Sequence, residues 1–203
     1  SDAYFKYILD YTKAIEYINK AIKLYSELDE RNVEGESYAL SIRGNIYFDQ
    51  GKTKKAEADY LKAIELSPEY RDIYYPLANY YIKTNDFDSA IKTIDKTIEM
   101  DRDDPDGYYK EALIYIKQNN YLKAMSLMSN SILKLEENKN YYVQDIDGKK
   151  RISLSDLYLN RAEISKKLGD VSYACEDINT ALLKSKTEDE KEKIEKRISL
   201  ECN

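Results

Sequence analysis

The sequence repeats a pattern of small and large residues every 34 residues, and this period limits the folds that the chain can adopt. Two positions of the repeat carry small residues in each copy: Gly44, Ala78 and Ala112 at the first, and Ala56, Ala90 and Ala124 at the second. Larger residues stand between them, such as Tyr47, Tyr81 and Tyr115. Small residues opposite large ones let neighbouring helices interlock at the density of a protein interior. The pattern therefore predicts pairs of packed helices.

The break between the two helices of each copy also repeats. Gly51, Asn85 and Asn119 occupy the same position of the period. Glycine and asparagine tolerate the left-handed conformation that follows many helix C-termini. Asp104 and Pro105 open the third of these copies with a capping residue before a first-turn proline. Each copy is thus predicted to be a helix–turn–helix unit.

These residues and their period resemble the tetratricopeptide repeat, a helix–turn–helix unit of this length. The resemblance implies an all-α fold in which the units stack into a right-handed superhelix. We predict a single array over residues 1–203, with complete repeats at 37–70, 71–104, 105–138 and 155–188. A truncated repeat at 1–28 would precede them, with only a stub of its first helix at about Ala3–Ile8. This pattern indicates either a piece cut from a longer array or a degenerate first unit, and we favour the first.

A segment at 139–154 interrupts the repeats and reads as a hairpin. Two short runs flank Asp147-Gly148, a favoured two-residue hairpin turn. The register would pair Val143 with Ile152, flanked by Tyr141 with Leu154 and by Asp145 with Lys150. An isolated hairpin is marginal in water, so this one would have to lean on the helices. We predict a short β-hairpin insertion.

The segment at 188–201 is highly charged and begins with a capping-box pattern formed by Thr187 and Glu190. Repeat arrays need a terminal element with a polar outer face. We predict a capping helix that covers the exposed side of the last repeat.

The composition argues against several classes of function. The net charge is −6, whereas a general nucleic-acid-binding protein needs a concentrated basic face. The sequence contains no histidine, which removes the commonest general base and a frequent metal ligand. No apolar run approaches the length of a membrane-spanning helix. We predict no enzyme activity, no catalytic residue, no metal site, no cofactor, no nucleic-acid partner and no membrane insertion.

The two cysteines, Cys175 and Cys202, lie far apart in the sequence and lack the spacing of metal ligands. We expect both to be reduced and without a role. No signal peptide is visible, which is uninformative where the true N-terminus is missing. The compartment stays open, with a cytoplasmic location favoured.

The resemblance also implies where a ligand would bind. In the repeat family the first helix of each unit lines a concave groove, and its variable positions select the ligand. The groove residues implied for this sequence are Asn45, Phe48, Tyr75, Asn79, Lys83, Tyr109, Leu113, Lys117 and Leu159. Tyr75 and Tyr109 would be aromatic anchors, or they would pack sideways on neighbouring helices or merely reflect the tyrosine-rich composition. Lys83 and Lys117 would receive acidic groups of a peptide, or they would only complement the dipoles at first-helix C-termini.

One subclass of the family grips a C-terminal carboxylate with two lysines, two asparagines and an arginine. Asn45 and Asn79 fill the asparagine positions here, but Ser41 and Tyr75 stand at the lysine positions. This incomplete set does not support recognition of a chaperone's C-terminal tail.

The most direct functional prediction is a protein–protein interaction scaffold that binds an unidentified partner peptide or segment in its groove. The alternative is a regulatory or sensing module of a larger signalling or enzymatic protein, which the truncated first repeat favours. A third class, RNA binding by helical repeats, shares the architecture but is disfavoured by the acidic balance.

Overall fold

The computed structural model describes residues 2–28, 32–145 and 150–202, with side chains from residue 10 onwards. The helices of these residues are α1 (Asp2–Glu27), α2 (Val33–Asp49), α3 (Thr53–Leu66), α4 (Tyr74–Lys83), α5 (Phe87–Met100), α6 (Pro105–Lys117), α7 (Tyr121–Glu137), α8 (Leu154–Lys167), α9 (Val171–Lys184) and α10 (Glu188–Glu201). A 3-10 turn at Arg71–Ile73 leads into α4, and the strands β1 (Val143–Gln144) and β2 (Arg151–Ile152) form a hairpin. The predicted helical repeat fold with a hairpin insertion and a C-terminal helix is confirmed. None of the described helices combines the length and apolar character needed to cross a membrane.

The contacts divide the chain into two compact units, residues 1–100 (unit 1) and 101–203 (unit 2). In unit 1, α1 packs against α2, α2 pairs with α3, and α4 pairs with α5 while contacting both α2 and α3. In unit 2, α6 pairs with α7, α8 pairs with α9 and also contacts α7, and α10 packs against α9. Within each unit, each helix therefore packs against the helix that follows it in sequence.

The turn inside each helix pair is built as the sequence predicts. Gly51, Asn85, Asn119 and Gly169 have φ values of 72°, 62°, 58° and 83°, all in the left-handed region. The N–H of the following residue donates to a carbonyl five residues earlier, as from Lys52 to Tyr47 at 2.8 Å. This bond satisfies a carbonyl that the end of the helix would otherwise leave without a partner.

The small residues of the repeat lie at the helix contacts. The alanines at the two small-residue positions are completely buried: Ala56, Ala78, Ala90, Ala112, Ala124, Ala162 and Ala174. Ala181, at a third position of the last repeat, is completely buried as well. Their large partners Tyr60, Ile94 and Met128 are no more than 1% exposed. At Gly44 the approach is closer still, because an added Cβ would lie 2.6 Å from the Tyr60 ring. The small-to-large pattern thus sets the spacing of the helices.

Tyr47 and Tyr81, which the pattern assigns to the core, are only half-buried, and so are Tyr108 and Tyr121 at other large-residue positions of the repeat. Their polar groups explain this position, because a phenol keeps its hydroxyl near polar partners while its ring packs. The Tyr81 hydroxyl lies 3.3 Å from a carboxylate oxygen of Glu57, and the Tyr108 hydroxyl donates to the Arg102 carbonyl at 3.1 Å.

The N-terminal region differs from its prediction. α1 runs without interruption from Asp2 to Glu27, so the expected stub at Ala3–Ile8 is part of one long helix. The chain between residues 9 and 13 lacks the glycine or asparagine that ends the first helix in the other units. α2 begins at Val33, four residues before the predicted repeat, and the Asn32 side chain caps it by accepting from Gly35 N at 2.7 Å.

The insertion forms the predicted hairpin. Val143 pairs with Ile152 and Gln144 with Arg151 in antiparallel register, and Asp145 N donates to the Lys150 carbonyl at 2.9 Å. Leu154 is the first residue of α8 rather than a strand residue, so the proposed pairing with Tyr141 is replaced by the helix start. The predicted turn at Asp147-Gly148 lies outside the described residues.

The C-terminal helix α10 covers α9 through Ile194, which is 4% exposed. The expectation of two reduced cysteines is wrong, since Cys175 on α9 and Cys202 after α10 form a disulfide with Cα atoms 5.6 Å apart. The fold brings the two residues together because α10 folds back along α9. The Thr187 side chain caps α10 by accepting from Glu190 N at 3.3 Å.

Candidate peptide-binding site

The predicted groove residues of unit 1 meet where α2 contacts α4. Phe48 on α2 packs in a cluster with Tyr60 and Tyr80, and its ring meets the Tyr80 ring edge-on at a centroid distance of 5.5 Å. From α4, the Nζ of Lys83 lies 5.6 Å from the centre of the Phe48 ring, within cation–π range. The structure therefore brings Phe48 and Lys83 together as one aromatic and cationic surface.

Asn45 and Asn79 present amide groups near this surface. Asn45 is exposed, and its Oδ1 accepts a 2.8 Å hydrogen bond from the buried Tyr60 hydroxyl, which fixes the orientation of the amide. Asn79 is half-buried, and its Oδ1 has no hydrogen-bond partner among the described residues although water cannot reach it. Leaving a buried acceptor unpaired costs about 1–3 kcal/mol. Asn79 Oδ1 is therefore an unsatisfied acceptor beneath the surface rather than a group that a ligand reaches.

Tyr75 lies one helical turn before Asn79 on α4 and is half-buried. A second tyrosine shares this surface and was missed from the sequence. Tyr38 lies seven residues before Asn45 on α2, hence on the same helical face, and is 54% exposed. The signal that could have found Tyr38 is its spacing of seven residues from Asn45, close to two helical turns.

In unit 2, Tyr109 is not a surface residue. It is 5% exposed, which corresponds to the alternative in which the ring packs against neighbouring elements. Burial raises the pKa of Tyr109 to about 12, nearby carboxylates add to the rise, and a hydrogen bond with Asn160 of α8 opposes it. A ligand could contact little of this ring, so Tyr109 acts here as a packing residue. Its role in ligand binding stays a prediction.

The hairpin insertion explains why this part of α6 is covered. Lys110, only 1% exposed, donates from Nζ to the carbonyls of Gln144 and Asp145 at 3.2 and 3.1 Å. Asp106 accepts from Gln144 N at 2.9 Å and lies 3.4 Å from the same Nζ. Burial raises the pKa of Asp106 to about 6, and the positive charge of Lys110 opposes that rise. The chain's own hairpin thus covers α6, the first helix of this repeat, at Asp106 and Lys110.

The other predicted groove residues of unit 2 remain at the surface. Leu113 and Leu159 are half-buried, and Lys117 is exposed.

Two arginine–aspartate pairs each join the two helices of one repeat, and they were not predicted from the sequence. Nε and a terminal nitrogen of Arg43 donate to the two carboxylate oxygens of Asp59, both at 2.7 Å. Arg161 binds Asp177 in the same way at 2.9 and 2.7 Å. Both pairs join equivalent positions of their repeats, which was the available signal. The two ion pairs hold α2 and α8, which carry predicted groove residues, but the paired residues are not among those groove residues.

Comparisons with known proteins agree with this architecture. Two models of the tetratricopeptide repeat match residues 6–71 and 47–114. No curated protein matches the sequence significantly. The crystal structure of BtubC (BKLC) from P. vanneervenii is similar with a TM-score of 0.71 at 17% identity, covering 85% of this chain and 72% of that chain.

Two further solved structures are similar at low identity. Crystalline MamA gives a TM-score of 0.60 at 21% identity, covering 81% of this chain and 85% of that one. The first TPR of Spaghetti (RPAP3), bound to the HSP90 peptide SRMEEVD, gives 0.53 at 17% identity, covering 67% and 95%. These identities show a shared fold alone. The family models reach from α1 into α6, and the same left-handed turn and buried alanines recur in the pair α8–α9. The chain belongs to the tetratricopeptide-repeat family.

Proposed function

We propose that this chain is a protein-interaction scaffold, and that unit 1 binds an extended segment of a partner protein on the face formed by α2 and α4. The family's architecture supports a scaffold, and the first TPR of Spaghetti is a protein of this fold that holds a peptide. The partner is a peptide segment rather than a small metabolite, because the groups on this face are spread along two helices.

The observation that carries the proposal is the combination of aromatic rings with an amide on one face. Tyr38 and Tyr75 offer ring surface, which supplies much of the energy in peptide and protein interfaces. The exposed amide of Asn45 offers hydrogen bonds to a peptide backbone. Leu113, Lys117 and Leu159 would form a separate, secondary surface on unit 2.

The test is a selection of peptides from a display library on the wild-type protein, followed by affinity measurements on variants. We expect Tyr38→Ala and Tyr75→Ala each to weaken the selected peptides by about tenfold, as loss of an aromatic anchor does. Fluorescence anisotropy of a labelled peptide gives the dissociation constants. Hydrogen exchange should show protection of α2 and α4 when the peptide is bound.

Tyr17→Ala is the matched control, because Tyr17 is a 69% exposed tyrosine on α1 of the same unit. It should leave peptide affinity unchanged. If Tyr17→Ala weakens the peptides as much as Tyr75→Ala does, or if protection falls outside α2 and α4, the assignment of this face is wrong.

A further inference from the structure

A cavity of about 770 Å³ lies in unit 2, where the hairpin meets the C-terminal ends of α7 and α9. Four cationic side chains line it, Lys139, Arg151, Lys184 and Lys186, against the single carboxylate of Glu136. The volume lies within the range of ordinary ligand sites. This cavity is separate from the predicted groove and shares none of its residues.

The positive charge of the cavity is only partly neutralised. Lys184 Nζ lies 2.8 Å from Glu136 Oε1, and the Tyr158 hydroxyl donates to the same carboxylate at 3.2 Å. Lys139 and Lys186 are exposed, and neither side chain has an ion-pair partner in the described part of the chain. A concentration of positive charge in a protein of net charge −6 attracts anionic groups to this place.

Apolar surface lies beside these charges. Arg151 stacks over the ring of Tyr142 at 4.5 Å, and Tyr142 itself is 44% exposed. Ile152 and Leu154 add half-buried aliphatic surface to the wall. A ligand that carried only charge would leave this surface in water, whereas one with both acidic and apolar groups would cover it.

We propose that the cavity binds an acidic peptide segment of a partner protein, with glutamate or aspartate side chains on the lysines and an apolar side chain against Tyr142 and Ile152. The cations come from the end of α7, from β2 and from the end of α9, so they suit several separated carboxylates better than one compact anion. β2 lines the cavity and pairs only with β1 among the described residues, which leaves an edge for a peptide strand. The site does not depend on the groove of unit 1.

The experiment measures binding of a short fluorescein-labelled peptide, in which glutamates flank a leucine and a tyrosine, to the full chain at low salt. We expect the double variant Lys139→Glu with Lys186→Glu to weaken binding by tenfold or more, because two attractive charges become repulsive. Replacing the peptide's glutamates by glutamines should weaken binding similarly. Both lysines are exposed and outside the helices and strands, so thermal melting should not change.

The matched control is Lys54→Glu with Lys92→Glu, which makes the same change of net charge at two exposed positions of α3 and α5. It should retain wild-type affinity. Equal losses in both double variants, or equal binding of the glutamate and glutamine peptides, would overturn the proposal. So would a wild-type protein that fails to bind the acidic peptide at low salt, whatever the result for the groove of unit 1.

Discussion

At the scale of single residues, the contact between Gly44 and Tyr60 shows that the two facing side chains of a helix pair must together fill a fixed volume. An added Cβ at Gly44 would lie 2.6 Å from one ring carbon of Tyr60 and 2.8 Å from another. The next two repeats hold Ala78 with Ile94 and Ala112 with Met128 at the equivalent positions, all buried. Glycine thus accompanies the bulkiest partner, and alanine accompanies the narrower ones.

We therefore expect Gly44→Ala to lower the free energy of unfolding by about 1–3 kcal/mol, the usual cost of overpacking a core. The Tyr60→Ile background recreates the pairing of Ala78 with Ile94, so the same glycine substitution should cost much less there. Urea unfolding of the four proteins of this double-mutant cycle measures the coupling. Additive effects of the two substitutions would contradict the shared-space explanation.

At the scale of elements, a buried polar network holds the hairpin to α6, beside the fully buried side chain of Val143. Asp106 and Lys110, one helical turn apart, bind the backbone of Gln144 and Asp145. A two-stranded hairpin is marginal by itself, and its strands include only two residues each. The network supplies the support that the sequence required but did not identify.

This network should make unit 2 sensitive to pH. Burial holds the pKa of Asp106 at about 6, above its ordinary value of 3.8, with Lys110 opposing and Asp104 adding to the rise. The folded state therefore binds this proton more tightly than the unfolded state. The resulting stabilisation is complete below about pH 4 and is lost as the pH rises through 6.

Asp106→Asn keeps an acceptor for Gln144 N but cannot ionise. We expect the stability of the wild type relative to this variant to fall between pH 4 and 7, as measured by urea unfolding. Asp103→Asn, at an exposed aspartate paired with Lys134, serves as the control for general charge effects. A wild-type advantage that grows with pH would show that ionised Asp106 is the stabilising form.

At the scale of the whole molecule, the sequence predicted the features that recur in every repeat and missed those that occur at a single place in the chain. Ala56 and Asn85 are recognisable because equivalent residues recur in other copies at the same spacing. The buried Tyr109 has Asn160 of α8 and Asp145 of the insertion among its neighbours, and this insertion follows only its own repeat. The pairing of Cys175 with Cys202 depends on how α10 folds back, which no local pattern records. Tyr38 could have been found, since its helical spacing was visible.

The disulfide should stabilise the packing of α10 against α9 at the C-terminal end of the array. Closing a loop of 27 residues stabilises a protein by about 3.5 kcal/mol in the chain-entropy model. We expect reduction, or Cys175→Ser with Cys202→Ser, to lower the melting temperature and to speed hydrogen exchange in α10. Peptide mapping without reductant should recover the linked pair. A native protein with two alkylatable thiols and an unchanged melting temperature would contradict this prediction.

The two arginine–aspartate pairs bear on how such a chain can lengthen or shorten. Arg43 with Asp59, and Arg161 with Asp177, have both partners inside one repeat, so duplication or loss of a whole repeat keeps each pair intact. Each arginine also reaches into the preceding helix, to Asn19 at 2.6 Å and to Ser129 at 3.1 Å. Those outward hydrogen bonds survive an exchange of the preceding repeat only where the new repeat has an acceptor at the position of Asn19 or Ser129. Recombination that moves a whole repeat therefore keeps the ion pair inside it. Whether the hydrogen bond to the preceding helix is kept depends on which repeat stands before it.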